Sequence, residues 1–135
     1  MDAKEYLSRA FILNRKIKGK ERQLEELKSQ VTYSGPLYGD VKVDTNMRHS
    51  AVEYSAIRLV SLSDEIEEDK KKLELIMKAT GSTIKKLNDT NMEIILEMRY
   101  LMFLSWDEII SSLNYSERYI FLLHSRALKR IKTYI

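Results

Sequence analysis

Residues 89–135 read DTNMEIILEMRYLMFLSWDEIISSLNYSERYIFLLHSRALKRIKTYI, and this stretch decides the fold. Three helix starts are marked in it. Thr90 with Glu93 and Ser105 with Glu108 have capping-box spacing, in which a hydroxyl and a carboxylate satisfy the free N–H groups of a first turn. Ser116 is suited to cap the last helix. Between the last two helices stands Leu113-Asn114-Tyr115. Asparagine tolerates the left-handed backbone that a sharp helix exit needs. The stretch therefore predicts one helix, then two compact helices joined by a short turn. That pairing is the helix-turn-helix signature, whose second helix enters the DNA major groove.

Charge divides at the turn. Residues 89–113 hold five acids and one base, and residues 114–135 hold one acid and five bases. A basic helix on an acidic scaffold suits a DNA-facing element, because phosphate attraction supplies most nonspecific affinity. At 100° per residue, Ile120, Leu123, Ala127 and Ile131 share one face of the last helix. They are expected to form a core with Ile94, Leu101, Trp106, Ile109 and Leu113. Arg118, Leu122, Ser125 and Lys129 lie opposite, flanked by Phe121, Arg126 and Lys132. With Ser116 at the helix start, these eight residues are the expected contacts to double-stranded DNA. Arg118 and Ser125 would approach base edges, and Arg126, Lys129 and Lys132 would meet phosphates.

The residues also carry a resemblance. Leu96-Glu97-Met98-Arg99-Tyr100, Ser105-Trp106-Asp107-Glu108-Ile109, Leu113, Tyr115-Ser116, Ile120 and Arg126-Ala127-Leu128-Lys129-Arg130-Ile131 resemble region four of bacterial sigma factors. With its AKEYLSRA opening and coiled middle, the chain is similar to a family of small phage proteins from Gram-positive hosts. Relatives of that family act as late-gene transcription activators. The resemblance implies a DNA-binding transcription regulator of a phage or prophage, at work in the cytoplasm of its bacterial host and able to dock on RNA polymerase. Two departures stand out. Phe121 and Leu122 occupy mid-helix positions that are polar in the pattern, and Ile110 replaces a small residue at the helix crossing. Phe121 and Leu122 suit thymine methyl groups or a protein surface, not a bidentate bond to a base.

Upstream, residues 3–31 predict a long helix. Ala10, Ile17, Leu24 and Val31 recur every seven residues, with Leu13 and Leu27 as the second seam position. Lys20 interrupts that second position. Residues 32–46 hold the single proline and two of the four glycines, and read as a loop. Its Tyr33, Leu37 and Tyr38 would serve a partner or tuck onto the hairpin end. A second long helix is expected from about Met47 to Ala79. Val52, Leu59, Ile66 and Leu73 form its seam with Leu62 and Ile76, and Gly81 is its expected C-cap. The expected architecture is all-α: an antiparallel, coiled-coil-like helical hairpin (1–81) followed by a helix-turn-helix domain (82–135).

The seam leaves apolar residues over. Tyr6, Leu7, Phe11 and Ile12 crowd the first helix, and Tyr54, Ile57 and Val60 widen the second. Two helices cannot bury such broad stripes, so the surplus must meet the C-terminal helices or another copy, with a homodimer as the default.

Several classes are excluded or disfavoured. The 135 residues contain no cysteine, so there is no disulfide framework or thiolate chemistry. His49 and His124 stand alone and make no metal motif. Met92, Met98 and Met102 read as core filler rather than a cofactor site. No catalytic constellation, phosphate loop or membrane span is visible, so neither an enzyme nor a cofactor is expected. The basic run from Arg15 to Arg22 reads as a solvated coiled-coil flank, with a second DNA-backbone contact as the sharper alternative. Two other functions compete with DNA-binding regulation. One is a protein that docks on RNA polymerase without touching DNA. The other is a packaging-type DNA-recognition subunit.

Overall fold

Two long helices lead the chain, α1 (Ala3–Tyr33) and α2 (Thr45–Lys85). Three shorter ones follow: α3 (Thr90–Leu96), α4 (Trp106–Leu113) and α5 (Glu117–Lys132). A π-helical turn, Glu97–Leu101, extends α3. The computed structural model describes residues 1–33 and 45–135, and every regular element among them is helical. The protein is all-α, as its composition implies. Most of the expected loop 32–46, with Leu37 and Tyr38, lies outside the described residues, as do the side chains of Tyr33 and His49. Helix α2 begins two residues before the expected Met47.

The chain divides into two compact units, residues 15–71 and residues 1–14 with 72–135. In the first, Ile17, Leu62 and Ile66 are buried, with Leu24, Leu27 and Leu59 half-buried beside them. These are seam positions of the seven-residue repeat. Lys20, which breaks the repeat on α1, has its Nζ 2.6 Å from Asp69 Oδ2. Asp69 stands seven residues after Leu62, so it breaks the repeat on α2 at the same type of position. The two polar interruptions answer each other. Glu65 lies 3.9 Å from the same ammonium, and Lys70 lies 3.8 Å from Glu21. Tyr54, Ile57 and Val60 remain 60–70% exposed.

The second unit holds the larger core. Leu7 of α1, Ile84 of α2 and Leu87 just beyond it, Ile95 and Leu96 of α3, Ile109 of α4, and Ile120, Ala127 and Ile131 of α5 are fully buried. Each large aliphatic side chain here contributes roughly 1.5–3 kcal/mol relative to exposure. The surplus apolar residues at the start of α1 are thus partly accounted for. Leu7 enters this core, and Tyr6 packs on it with its hydroxyl 2.8 Å from Thr83 Oγ1. Phe11 meets Phe103, with ring centroids 6.0 Å apart. Ile12 stays 64% exposed.

Four local expectations are corrected. Gly81 does not end α2, which runs on to Lys85. A Cβ at Gly81 would meet Leu101 at 3.8 Å, an ordinary contact, so the position is helical and packed. The left-handed exit falls to Asn88, at φ 51°. The cap of α3 is Asp89, whose carboxylate accepts from Met92 N–H at 3.1 Å, and Thr90 is already helical. Ile94 is half-buried, and its neighbours Ile95 and Leu96 fill the core instead. Met102 is 59% exposed and fills no core.

No local sequence pattern marks the π turn at Glu97–Leu101. Its extra residue lets Leu104 N–H reach back to Met98 O at 3.0 Å, while Phe103 takes a left-handed φ of 60°. A bulky residue is strained there. The contact with Phe11 and the reach of Leu104 hold it in place.

Candidate nucleic-acid interface

The turn between α4 and α5 is built as its residues dictate. Ser105 caps α4 by accepting from Glu108 N–H at 3.2 Å. Asn114 closes α4 in the left-handed region, at φ 57°. Ser116 then caps α5, accepting from Tyr119 N–H at 3.2 Å. Each device satisfies backbone groups that a helix end leaves free.

Helix α5 shows two faces. Ile120, Leu123, Ala127 and Ile131 are buried, as the spacing predicts. Ser116, Arg118, Phe121, Leu122, Ser125, Arg126, Lys129 and Lys132 are all exposed. Arg118, Leu122, Ser125 and Lys129 follow one another at helical spacing along a single line, with Arg126 and Lys132 beside it. From Arg118 to Lys129 the line is about 16 Å long at 1.5 Å per residue. Not every base on α5 is available. Arg130 turns inward and donates to Leu87 O, and its other terminal nitrogen lies 3.7 Å from Met92 Sδ. Ser116 Oγ already serves its own helix. Phe121, 38% exposed, also leans on Trp106 with ring centroids 5.0 Å apart. Leu122 is 44% exposed.

Trp106 is half-buried and packs at the margin of the core, not at its centre. Its indole meets His124 at 4.7 Å, and the Arg99 guanidinium lies 5.0 Å from its centroid. His124 Nε2 is 2.7 Å from the Tyr100 hydroxyl, and either group can donate, depending on the imidazole tautomer. Burial lowers the His124 pKa to about 4, helped by the positive charges of Lys4 and Arg99. The imidazole is therefore neutral at physiological pH. Burial also raises the Tyr100 pKa, against the pull of Arg99.

These groups border a cleft of about 330 Å³ behind α5, to which α1 contributes Lys4, Ser8 and Phe11. The cleft was not legible beforehand. Lys4 and Ser8 stand some ninety residues from Arg99, and no local pattern joins them. Among the described residues no helix is long and apolar enough to cross a membrane.

A family model for proteins of unknown function, DUF1492, matches residues 32–132, and the chain belongs to that family. No curated protein and no solved structure matches it significantly.

Proposed function

We propose that this member of the DUF1492 family is a DNA-binding transcription regulator of sigma region-four type, from a phage or prophage, with α4 and α5 as its helix-turn-helix. The exposed line Arg118–Leu122–Ser125–Lys129, flanked by Arg126 and Lys132, carries this reading. It stands on a helix whose opposite side is locked in the core. A side-chain row about 16 Å long can follow a major groove about 12 Å wide. The acidic groups of α3 and α4 repel phosphate, which favours presentation of α5 as the leading edge. On this reading α1 and α2 form an antiparallel hairpin. The ion pairs Lys20–Asp69 and Glu21–Lys70 support the pairing of the two helices between residues 15 and 71. The exposed Tyr54, Ile57 and Val60 would join two copies, and paired half-sites suit such a dimer.

Fluorescence anisotropy with duplex DNA across a salt series tests the reading. Lys129→Ala and Lys132→Ala should each weaken binding to all duplexes and make log K against log salt shallower by about 0.9. Arg118→Ala should flatten sequence preference, because it stands in the first turn, where base edges are reached. No affinity for any duplex at low salt refutes the proposal.

The exposure of Leu122 and Phe121 favours one rival, a helix that docks on RNA polymerase. Leu122→Ala separates the two. Loss of a polymerase contact with unchanged DNA affinity assigns the centre of α5 to protein docking.

A further inference from the structure

We propose that the cleft behind α5 is a binding site for a small organic anion in which a carboxylate or phosphate is carried on a flat ring. The proposal goes beyond DNA recognition and does not depend on it. Its volume, about 330 Å³, lies at the small end of the range for organic ligands. Its chemistry is asymmetric. Two cations, Lys4 and Arg99, border it, and no carboxylate does. Neither cation has an ion-pair partner among the described residues. Arg99 donates one hydrogen bond to Leu104 O at 3.0 Å, which leaves the rest of its donor fork for a ligand. Such a planar fork matches a carboxylate or phosphate.

The other walls fit a ring. Phe11, Trp106 and Phe121 line the cleft, with the Trp106 and Phe121 ring centroids 5.0 Å apart. Aromatic side chains accept a flat ring stacked or edge-on. Ser8 supplies a hydroxyl, and His124 with Tyr100 supplies a hydrogen-bonded pair at the cleft border. The depressed His124 pKa agrees with this geometry: burial lowers it most, and Lys4 from α1 and Arg99 from the π turn add to the effect at its ring. Their fields therefore converge on the cleft wall. An anion seated there would relieve that convergence, whereas a cation would worsen it.

Trp106 is the single tryptophan of the chain, so its emission reports on the cleft directly. Benzoate and phenyl phosphate are the probes, with benzamide as the neutral ring, benzamidine as the cationic one and inorganic phosphate as the ringless anion. The two anionic rings should shift Trp106 emission saturably, and whichever binds tighter fixes the acid group. Benzamide, benzamidine and inorganic phosphate should each bind at least about tenfold more weakly. Saturation with the anion should also raise the His124 pKa, read from its imidazole resonance by NMR. Lys4→Glu reverses an exposed charge in the first turn of α1, where an acid suits the helix. It should weaken anion binding by about tenfold or more, while Lys18→Glu, exposed on the other compact unit, should not. Equal binding of benzamide and benzoate, an unmoved His124 pKa, or indifference to Lys4→Glu each overturns the proposal.

Discussion

Replacing Lys20 and Asp69 separately and together tests what fixes the alignment of the two long helices. The ammonium and carboxylate are 2.6 Å apart, with side-chain exposures of 19% and 9%. Removing one partner of a well-buried pair costs about 3–5 kcal/mol, because the other charge stays enclosed with less compensation. Lys20 keeps some access to water, and Glu65 stands 3.9 Å away, so Asp69→Leu strands a charge that solvent can partly recover. Asp69 is the more enclosed, so Lys20→Leu should cost more, about 2–4 kcal/mol. The double variant fills both positions with the residue type that the seam repeat uses, and should fall within about 1 kcal/mol of the parent, or above it. The coupling in a double-mutant cycle is then at least about 2 kcal/mol. Urea denaturation followed by circular dichroism measures all four proteins. A heptad slip would set Lys20 against Leu62 or Ile76, burying an ammonium against apolar side chains. The pair therefore gives alignment more than stability, and the double variant should populate slipped pairings, seen as changed cross-linking between cysteines placed at positions 21 and 70. Costs that add to within about 0.5 kcal/mol refute the coupling. An unchanged cross-linking pattern in the double variant refutes the alignment role.

Gly81→Ala should stabilise the protein by about 0.5–1 kcal/mol, because the position is helical and the new methyl meets Leu101 at ordinary contact distance. Destabilisation in urea would show that Leu101 cannot accept it. Stability should be full above pH 6.5 and fall as the pH drops toward 4, because the unfolded chain takes up a proton at His124 that the folded protein refuses until about pH 4. After allowance for solvent screening of the half-buried ring the loss is about 1–2 kcal/mol, and His124→Phe should flatten that part of the pH profile. Light scattering over a concentration series should show a dimer that Tyr54→Lys with Ile57→Lys dissociates; a monomer at every concentration removes the self-association reading.

What could be read from the chain follows a physical division. Features set within one or two turns were legible. The buried stripe of α5 needs only its own spacing, and Ser105, Asn114 and Ser116 act on backbone within three residues of themselves. The error at Asp89 is of the same kind, since Asp89 and Thr90 are both good caps one residue apart. Gly81 shows where local propensity fails. Its helical cost is about 1 kcal/mol, and burial of Ile84 on α2 and of Leu87 just beyond it outweighs that several times over. Taken alone, α1 carries Lys20 as a flaw in its seam repeat. Set against α2, the same seam position carries Asp69, and the flaw becomes a pair. The cleft lies beyond even that comparison. Lys4 and Arg99 belong to no shared period, and it is the packing of Ala3, Tyr6, Leu7 and Phe11 on the C-terminal helices that brings the start of α1 to the cleft. A charge pattern along the chain reveals a face such as that of α5. A site whose charges arrive from different elements has no signature until the core that joins them is known.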